Sequence, residues 1–197
     1  MNAEADPMIG LRTIAYRLKN LRSQLTFCDK GIVAVEFAMA VPFLLLMAIG
    51  SVEMGRMIMV HERMSRVAST AADLSARVDV IDNAGIAEIV AAASQVASPF
   101  AFATNGQLIL SSASDDGTVS TILWQDNNGA SLGSSKVGVA GSAPTLPNGL
   151  TLSSGEGVVV AEVYYTYTPL LGSYLFQPTT LYKVAQQRPR LGVLIRN

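Results

Sequence analysis

One segment constrains this chain more than any other. From Ile32 to Val52 it reads IVAVEFAMAVPFLLLMAIGSV, with Glu36 as the only charge. Twenty-one residues make a helix of about 31 Å, and a bilayer core is about 30 Å thick. A buried core helix of this kind needs a domain large enough to surround it, and 197 residues are too few. A cleaved secretory signal fits poorly, because the apolar core exceeds the usual 7–15 residues or so and no small-x-small site follows directly. Pro42 is compatible with a membrane helix, which tolerates proline better than an ordinary helix interior does. A span with one modest domain beside it is therefore expected. Composition agrees: half the residues are hydrophobic and only 15% are charged, where soluble domains average about 25%.

The flanks set an orientation. Residues 1–31 carry Arg12, Arg17, Lys19, Arg22 and Lys30, and Leu11, Ile14, Leu18, Leu21 and Leu25 recur at steps of 3 and 4. That pattern fits a basic amphipathic helix on an anionic leaflet, and equally a disordered leader. Four arginines (Arg56, Arg63, Arg66, Arg77) follow the span within 25 residues. The positive-inside count narrowly favours a cytoplasmic N-terminus, and the Ser/Gly-rich remainder points the same way. Net charge is −1, with no Lys/Arg block beyond the first 31 residues, which disfavours nucleic acid as a partner. Cys28 is the only cysteine, so neither an internal disulfide nor a Cys-rich metal site is expected.

Beyond the span, Met57, Val60, Met64, Val67, Ala71, Leu74, Val78 and Ile81 repeat at steps of 3 and 4. This predicts a packed seam on one helix of roughly 50 residues. The seam fits packing under its own domain, packing on neighbouring subunits, or both. Asn83 is a candidate cap for a second helix from Ala84 to Ala97, stopped by Pro99. The period then falls to 2. Gln107–Ser112 and Thr118–Gln125 flank Asp116-Gly117 as a hairpin, and Asp126-Asn127-Asn128-Gly129 reads as a turn. Residues 127–156 read as loop, Val158–Thr168 as the best strand, and Leu181–Gln187 and Leu191–Ile195 as further strands. The expected class is α+β: a single N-terminal transmembrane helix, extended into a long amphipathic helix, then a small antiparallel β-rich extracytoplasmic domain. The expected divisions are a basic cytoplasmic leader (1–31), the span (32–52), an extracytoplasmic helical segment (53–98) and a β-rich domain (99–197).

Lys30-Gly31-Ile32-Val33-Ala34-Val35-Glu36-Phe37 carries the most chemical meaning. A carboxylate inside lipid costs on the order of 3 kcal/mol at a helix centre, so Glu36 calls for a partner. Cleavage after Gly31 would give Ile32 a free ammonium one helical turn from Glu36. The same carboxylate could instead reach a neighbour's freed amine, or simply sit near the headgroups.

The Gly-x-x-x-x-Glu arrangement resembles the processing site of type IV pilin-like proteins, cut after the glycine by prepilin peptidase. The longer run through Gly31, Ala34-Val35-Glu36-Phe37-Ala38, Pro42, Glu53-Met54-Gly55-Arg56 and Ala71-Ala72-Asp73 resembles the TadE-like family of the Tad (Flp) pilus machinery. Tyr164, Tyr165 and Tyr167 before Arg188-Pro189-Arg190 are more loosely similar to that family's far end. TadG-like proteins share the apolar segment but usually lack the glutamate and are much longer. The resemblance implies a minor pseudopilin, with Gly31 and Ile32 as cleavage site and Glu36 and Phe37 as assembly and processing motif. It implies the bacterial inner membrane as location, N-terminus cytoplasmic and C-terminal domain periplasmic, with a place in the filament or in the basal assembly. Implied partners are prepilin peptidase, other pseudopilins and Flp-type pilin, platform proteins of pilus assembly, and inner-membrane lipid. No cofactor and no enzymatic role are expected.

The residues offer little to a rival enzyme. His61 is the only histidine, and no nucleophile motif surrounds any serine. Asp126-x-Asn128 begins like a calcium loop, but Ala130 stands at the next ligand position and Val137 at the twelfth. Asp115-Asp116 reads as hairpin chemistry. The remaining rival is an uncleaved, membrane-anchored binding or sensory domain.

Overall fold

The computed structural model describes residues 29–128, 131–170 and 177–197. The leader periodicity, Cys28 and Gly129 lie outside the described residues. The chain divides into two compact units, Met1–Val52 and Glu53–Asn197. One helix, α1, runs from Asp29 to Ser75 and contains Pro42 without breaking. Its 47 residues extend about 70 Å, more than twice a bilayer core.

Among the described residues of the first unit, α1 has no buried side chain. From Gly31 to Val52 every side chain is exposed or half-buried, including Phe37, Phe43 and Leu44–Met47. The most apolar eighteen-residue window has mean hydropathy 2.5 and none of it is buried. The helix is long and apolar enough to cross a membrane. The Ser51 hydroxyl is satisfied within the helix, donating to the Ala48 carbonyl at 2.8 Å, as an apolar solvent demands.

The second unit is a four-stranded antiparallel sheet covered on both faces. Its strands are β2 (Gly106–Asp115), β3 (Ser120–Asn127), β4 (Gly157–Tyr167) and β5 (Thr179–Gln187), in the order β3-β2-β4-β5. Strand periodicity separates the faces. Val159, Ala161, Val163, Tyr165 and Tyr167 of β4 join Leu108, Leu110 and Leu181 in one apolar cluster with Val60, Met64, Val67 and Ala71 of α1. Val158 and Val160 join Ala113, Ile122, Val137 and Leu146 in a second. A second helix, α2 (Asn83–Val96), adds Ile86, Ile89 and Ala93 to the first cluster. A short turn of helix, α3 (Phe102–Asn105), leads into β2.

Several boundaries differ from the sequence reading. α1 ends at Ser75, so Val78 and Ile81 are not on it. Val78 is exposed, and Ile81 is buried from a two-residue strand, β1 (Val80–Ile81), paired in parallel with β6 (Ile195–Arg196). The helix stops because tertiary partners take its end: the Arg190 amide donates to Ala76 O at 2.9 Å, and Arg77 folds back in an ion pair with Asp73. The β-branched residues that follow favour extended backbone. The cap of α2 is Asp82, whose Oδ1 accepts from the Gly85 amide at 2.8 Å, while Asn83 is the first helical residue and accepts from Arg196 Nη2. Both residue types cap well, and the sequence alone does not separate adjacent candidates. Asp126 and Asn127 end β3 rather than forming a turn. Of Leu191–Ile195 only Ile195 is in a strand. The hairpin joins β2 to β3 as expected, in antiparallel register from Ile109↔Asn127 to Asp115↔Ser120.

Candidate functional site

Gly31, Ile32, Glu36 and Phe37 occupy the first turns of α1 and are all exposed. Ile32 and Glu36 are four apart on a continuous helix and so share a face. Among the described residues, a Cβ added at Gly31 would meet nothing within 4 Å. The helix therefore gives no reason for glycine there, and glycine costs about 1 kcal/mol relative to alanine inside a helix. Among the described residues no hydrogen bond or salt bridge joins Glu36 to another side chain.

Of the seam residues, Val60, Met64, Val67 and Ala71 are buried in the second unit, Leu74 is partly buried against its core, and Met57 and Val78 are exposed. His61 is half-buried on α1. Asp126 pairs with Arg196 Nη1 at 2.6 Å.

Two polar sites went unrecognised in the sequence. The first lies where the second unit begins. Glu53 is 6% exposed; its Oε1 accepts from the Tyr167 hydroxyl and its Oε2 from the Leu170 amide at 3.2 Å. The carboxylate thus ties the end of β4 and the chain after it to α1. Burial, then the hydrogen bond to Glu53, pushes the Tyr167 hydroxyl above its usual range, and Arg56 opposes that shift. Glu53 and Arg56 are the polar members of the Glu53-Met54-Gly55-Arg56 run, and both act on one tyrosine. The signal was present: a glutamate and an arginine three apart immediately past an apolar span.

The second site pins the long crossover from β3 to β4. Glu162, fully buried in β4, accepts from the Ser135 hydroxyl, the Lys136 amide at 2.8 Å and the Tyr182 hydroxyl at 2.8 Å. Gln107 Oε1 takes the Leu132 and Gly133 amides at 2.7 and 2.9 Å, and the Tyr164 hydroxyl donates to Ser134 O at 2.5 Å. Lys136 Nζ stands 3.9 Å over the Tyr182 ring. Burial first, then Glu162, raises the Tyr182 hydroxyl well above its usual range. Each Glu162 oxygen is engaged, as a buried carboxylate requires, so this network holds a loop rather than offering a reactive group. A glutamate amid the valines of β4 marks it in the sequence.

The model of the family described as TadE-like protein matches residues 31–73. Neither a curated protein nor a solved structure matches the chain. The matched segment begins at Gly31, includes the exposed apolar helix and the Glu53–Arg56 run, and ends at Asp73, two residues before α1 stops. Over this segment, which is less than a quarter of its length, the chain is similar to the TadE-like family, and that similarity suggests a component of a Tad pilus system.

Proposed function

We propose that the chain is a minor pseudopilin-like component of Tad pilus assembly, anchored by residues 32–52 and processed by prepilin peptidase between Gly31 and Ile32. In this reading the N-terminus is cytoplasmic, the second unit lies in the periplasm, and other pseudopilins, Flp-type pilin and the assembly platform are its partners. The observation that carries the reading is the open surroundings of Gly31: among the described residues nothing stands within 4 Å of a Cβ added there, so a glycine that costs helix stability is accounted for by recognition from outside the fold. Glu36 supports it. A carboxylate in an apolar, exposed helix needs a cation, and the Ile32 ammonium, its own or a neighbour's, supplies one.

N-terminal sequencing of the membrane-extracted protein tests the proposal. A mature chain beginning at Ile32 is the expected result, and an intact Met1 overturns the processing step. Gly31→Ala should greatly reduce the Ile32-starting product. Glu36→Ala should spare insertion and impair pilus assembly, so normal surface pili in that variant would contradict the role given to Glu36.

A further inference from the structure

We infer that the second unit is complementary to itself: a basic ridge on α1 of one copy seats in an acid-rimmed apolar groove of a second copy. The ridge consists of Met59, Arg63 and Arg66, at steps of 4 and 3 along one helix face. It borders a hollow of about 340 Å³ that also takes in Ile58 and Phe100, with Glu62 as its only acid. Ile58 and Met59 are exposed. Of the other arginines of this unit, Arg77, Arg188, Arg190 and Arg196 each pair with a carboxylate, and Arg56 engages the Tyr167 hydroxyl. Among the described residues, Arg63 and Arg66 form no salt bridge. Unpaired arginine is thus concentrated on one face of a unit whose Lys/Arg and Asp/Glu residues number 9 and 11.

The groove lies between the end of α1, β1 and the first turns of α2. It measures about 370 Å³ and is lined by Leu74, Val78, Val80, Ile81, Ile89 and Ala92, among others. Its only charged lining residues are Asp82 and Glu88, and exposed Asp79 falls between Val78 and Val80. Asp82 is occupied as the α2 cap; among the described residues Asp79 and Glu88 form no salt bridge. Apolar walls with an acidic rim suit an arginine-flanked methionine, since Met adapts to irregular apolar gaps.

The inference rests on the membrane reading above for one step, the exclusion of lipid as the ridge's partner. Arg63 and Arg66 lie 10 and 13 residues beyond Glu53, or about 15 and 20 Å along α1, whereas the headgroup layer adds only about 5–8 Å to each side of the core. Two copies side by side at equal height would set ridge against ridge. Leu74 is 11 residues beyond Arg63, so ridge meets groove when parallel copies are staggered by about 16 Å. Such a contact is heterologous and repeats without closing.

Sedimentation of the full-length chain in mild detergent tests this. Wild type should self-associate, and more weakly as salt rises. Arg63→Glu/Arg66→Glu and Asp79→Lys/Glu88→Lys should each weaken association by about tenfold, and an equimolar mixture of the two variants should regain wild-type strength. A monomeric wild type, association indifferent to salt and to both reversals, or a mixture that stays weak would overturn the inference. If a charge variant fails to fold, oxidative cross-linking of Met59→Cys chains with Val80→Cys chains, both carrying Cys28→Ser, replaces it. The mixed dimer should form in preference to the Met59→Cys homodimer, and the reverse preference overturns the contact. An Ile32 start without self-association would sink this inference and leave processing standing; self-association with an intact Met1 would do the opposite.

Discussion

The two units treat the same residue types in opposite ways. In the first, Glu36 and Gly31 stand exposed on a bare helix, the glutamate with no side-chain partner among the described residues and the glycine with open space around it. In the second, Glu162 is fully buried with both oxygens engaged, and a Cβ added at Gly133 would strike the Tyr164 ring. Inside the second unit a polar or small residue answers to neighbours in its own chain. Inside the first, Glu36 and Gly31 have no such neighbour among the described residues, and under the proposed function they answer instead to lipid, an enzyme or another subunit. Substitutions should divide along the same line, with stability losses confined to the second unit and losses of processing or assembly to the first.

The largest stability effect is expected at Glu162. Glu162→Ala leaves the Lys136 amide and two hydroxyls without their acceptor, which should cost about 3 kcal/mol and lower the melting temperature by roughly 10 °C. Trp124, the only tryptophan, is buried with its indole N–H on Leu194 O at 3.0 Å, so its fluorescence follows this unit alone. An unchanged Trp124 melt would break the comparison at its strongest point. Next comes Glu53→Ala, expected to cost about 2 kcal/mol through the Tyr167 hydroxyl and the Leu170 amide. Combined with Tyr167→Phe the losses should be less than additive, because both substitutions remove one contact. Full additivity would mean that Glu53 and Tyr167 act separately.

Legibility in the sequence follows from the range of the forces involved. The span, the hairpin and the four long strands announce themselves through local periodicity and turn chemistry, because each pattern is complete within some twenty residues. The far end of α1 does not. The step of 3 and 4 runs on to Ile81, yet the helix stops at Ser75 because an amide 114 positions further along, Arg190, takes the Ala76 carbonyl. Glu53 and Glu162 are visible as charges beside or within apolar runs, but their partners are hidden for the same reason. Each needs donors from distant segments, Tyr167 and Leu170 for one and Ser135, Lys136 and Tyr182 for the other, and no local spacing reveals them. Gly31 and Glu36 could be singled out because they violate the local pattern, a glycine at the mouth of an apolar helix and a charge within it.

Smaller stability effects are expected where the chain supplies no neighbours. Gly31→Ala and Glu36→Ala should leave the Trp124 melt within about 0.5 kcal/mol of wild type. The contrast sharpens if the same two proteins lose the Ile32-starting product and surface pili respectively. A clear drop in the Trp124 melt for either would place these residues among the contacts of the second unit and undo the division.

Asp116 refines the comparison, because it is an exposed carboxylate that nonetheless has partners in its own chain. In the β2–β3 turn its Oδ1 accepts from the Thr118 hydroxyl at 2.6 Å and from the Thr118 and Val119 amides at 2.8 and 3.0 Å. Those bonds, the hydroxyl first and then the Val119 amide, lower its pKa from the ordinary 3.8 to about 2. Hydrogen bonds favour the charged form, so the folded value lies below the unfolded one. The contribution to the hairpin is then complete above the ordinary value and is lost as pH falls towards the folded value, a window from 3.8 down to about 2. The Thr118 and Val119 amide resonances should titrate with a midpoint near 2, and Asp116→Asn should remove that titration while its side-chain oxygen still accepts within the turn. The global melt should barely move, since the group is exposed. A midpoint at or above 3.8 would mean that water outcompetes the turn for this carboxylate, which would then behave as an exposed group without internal partners.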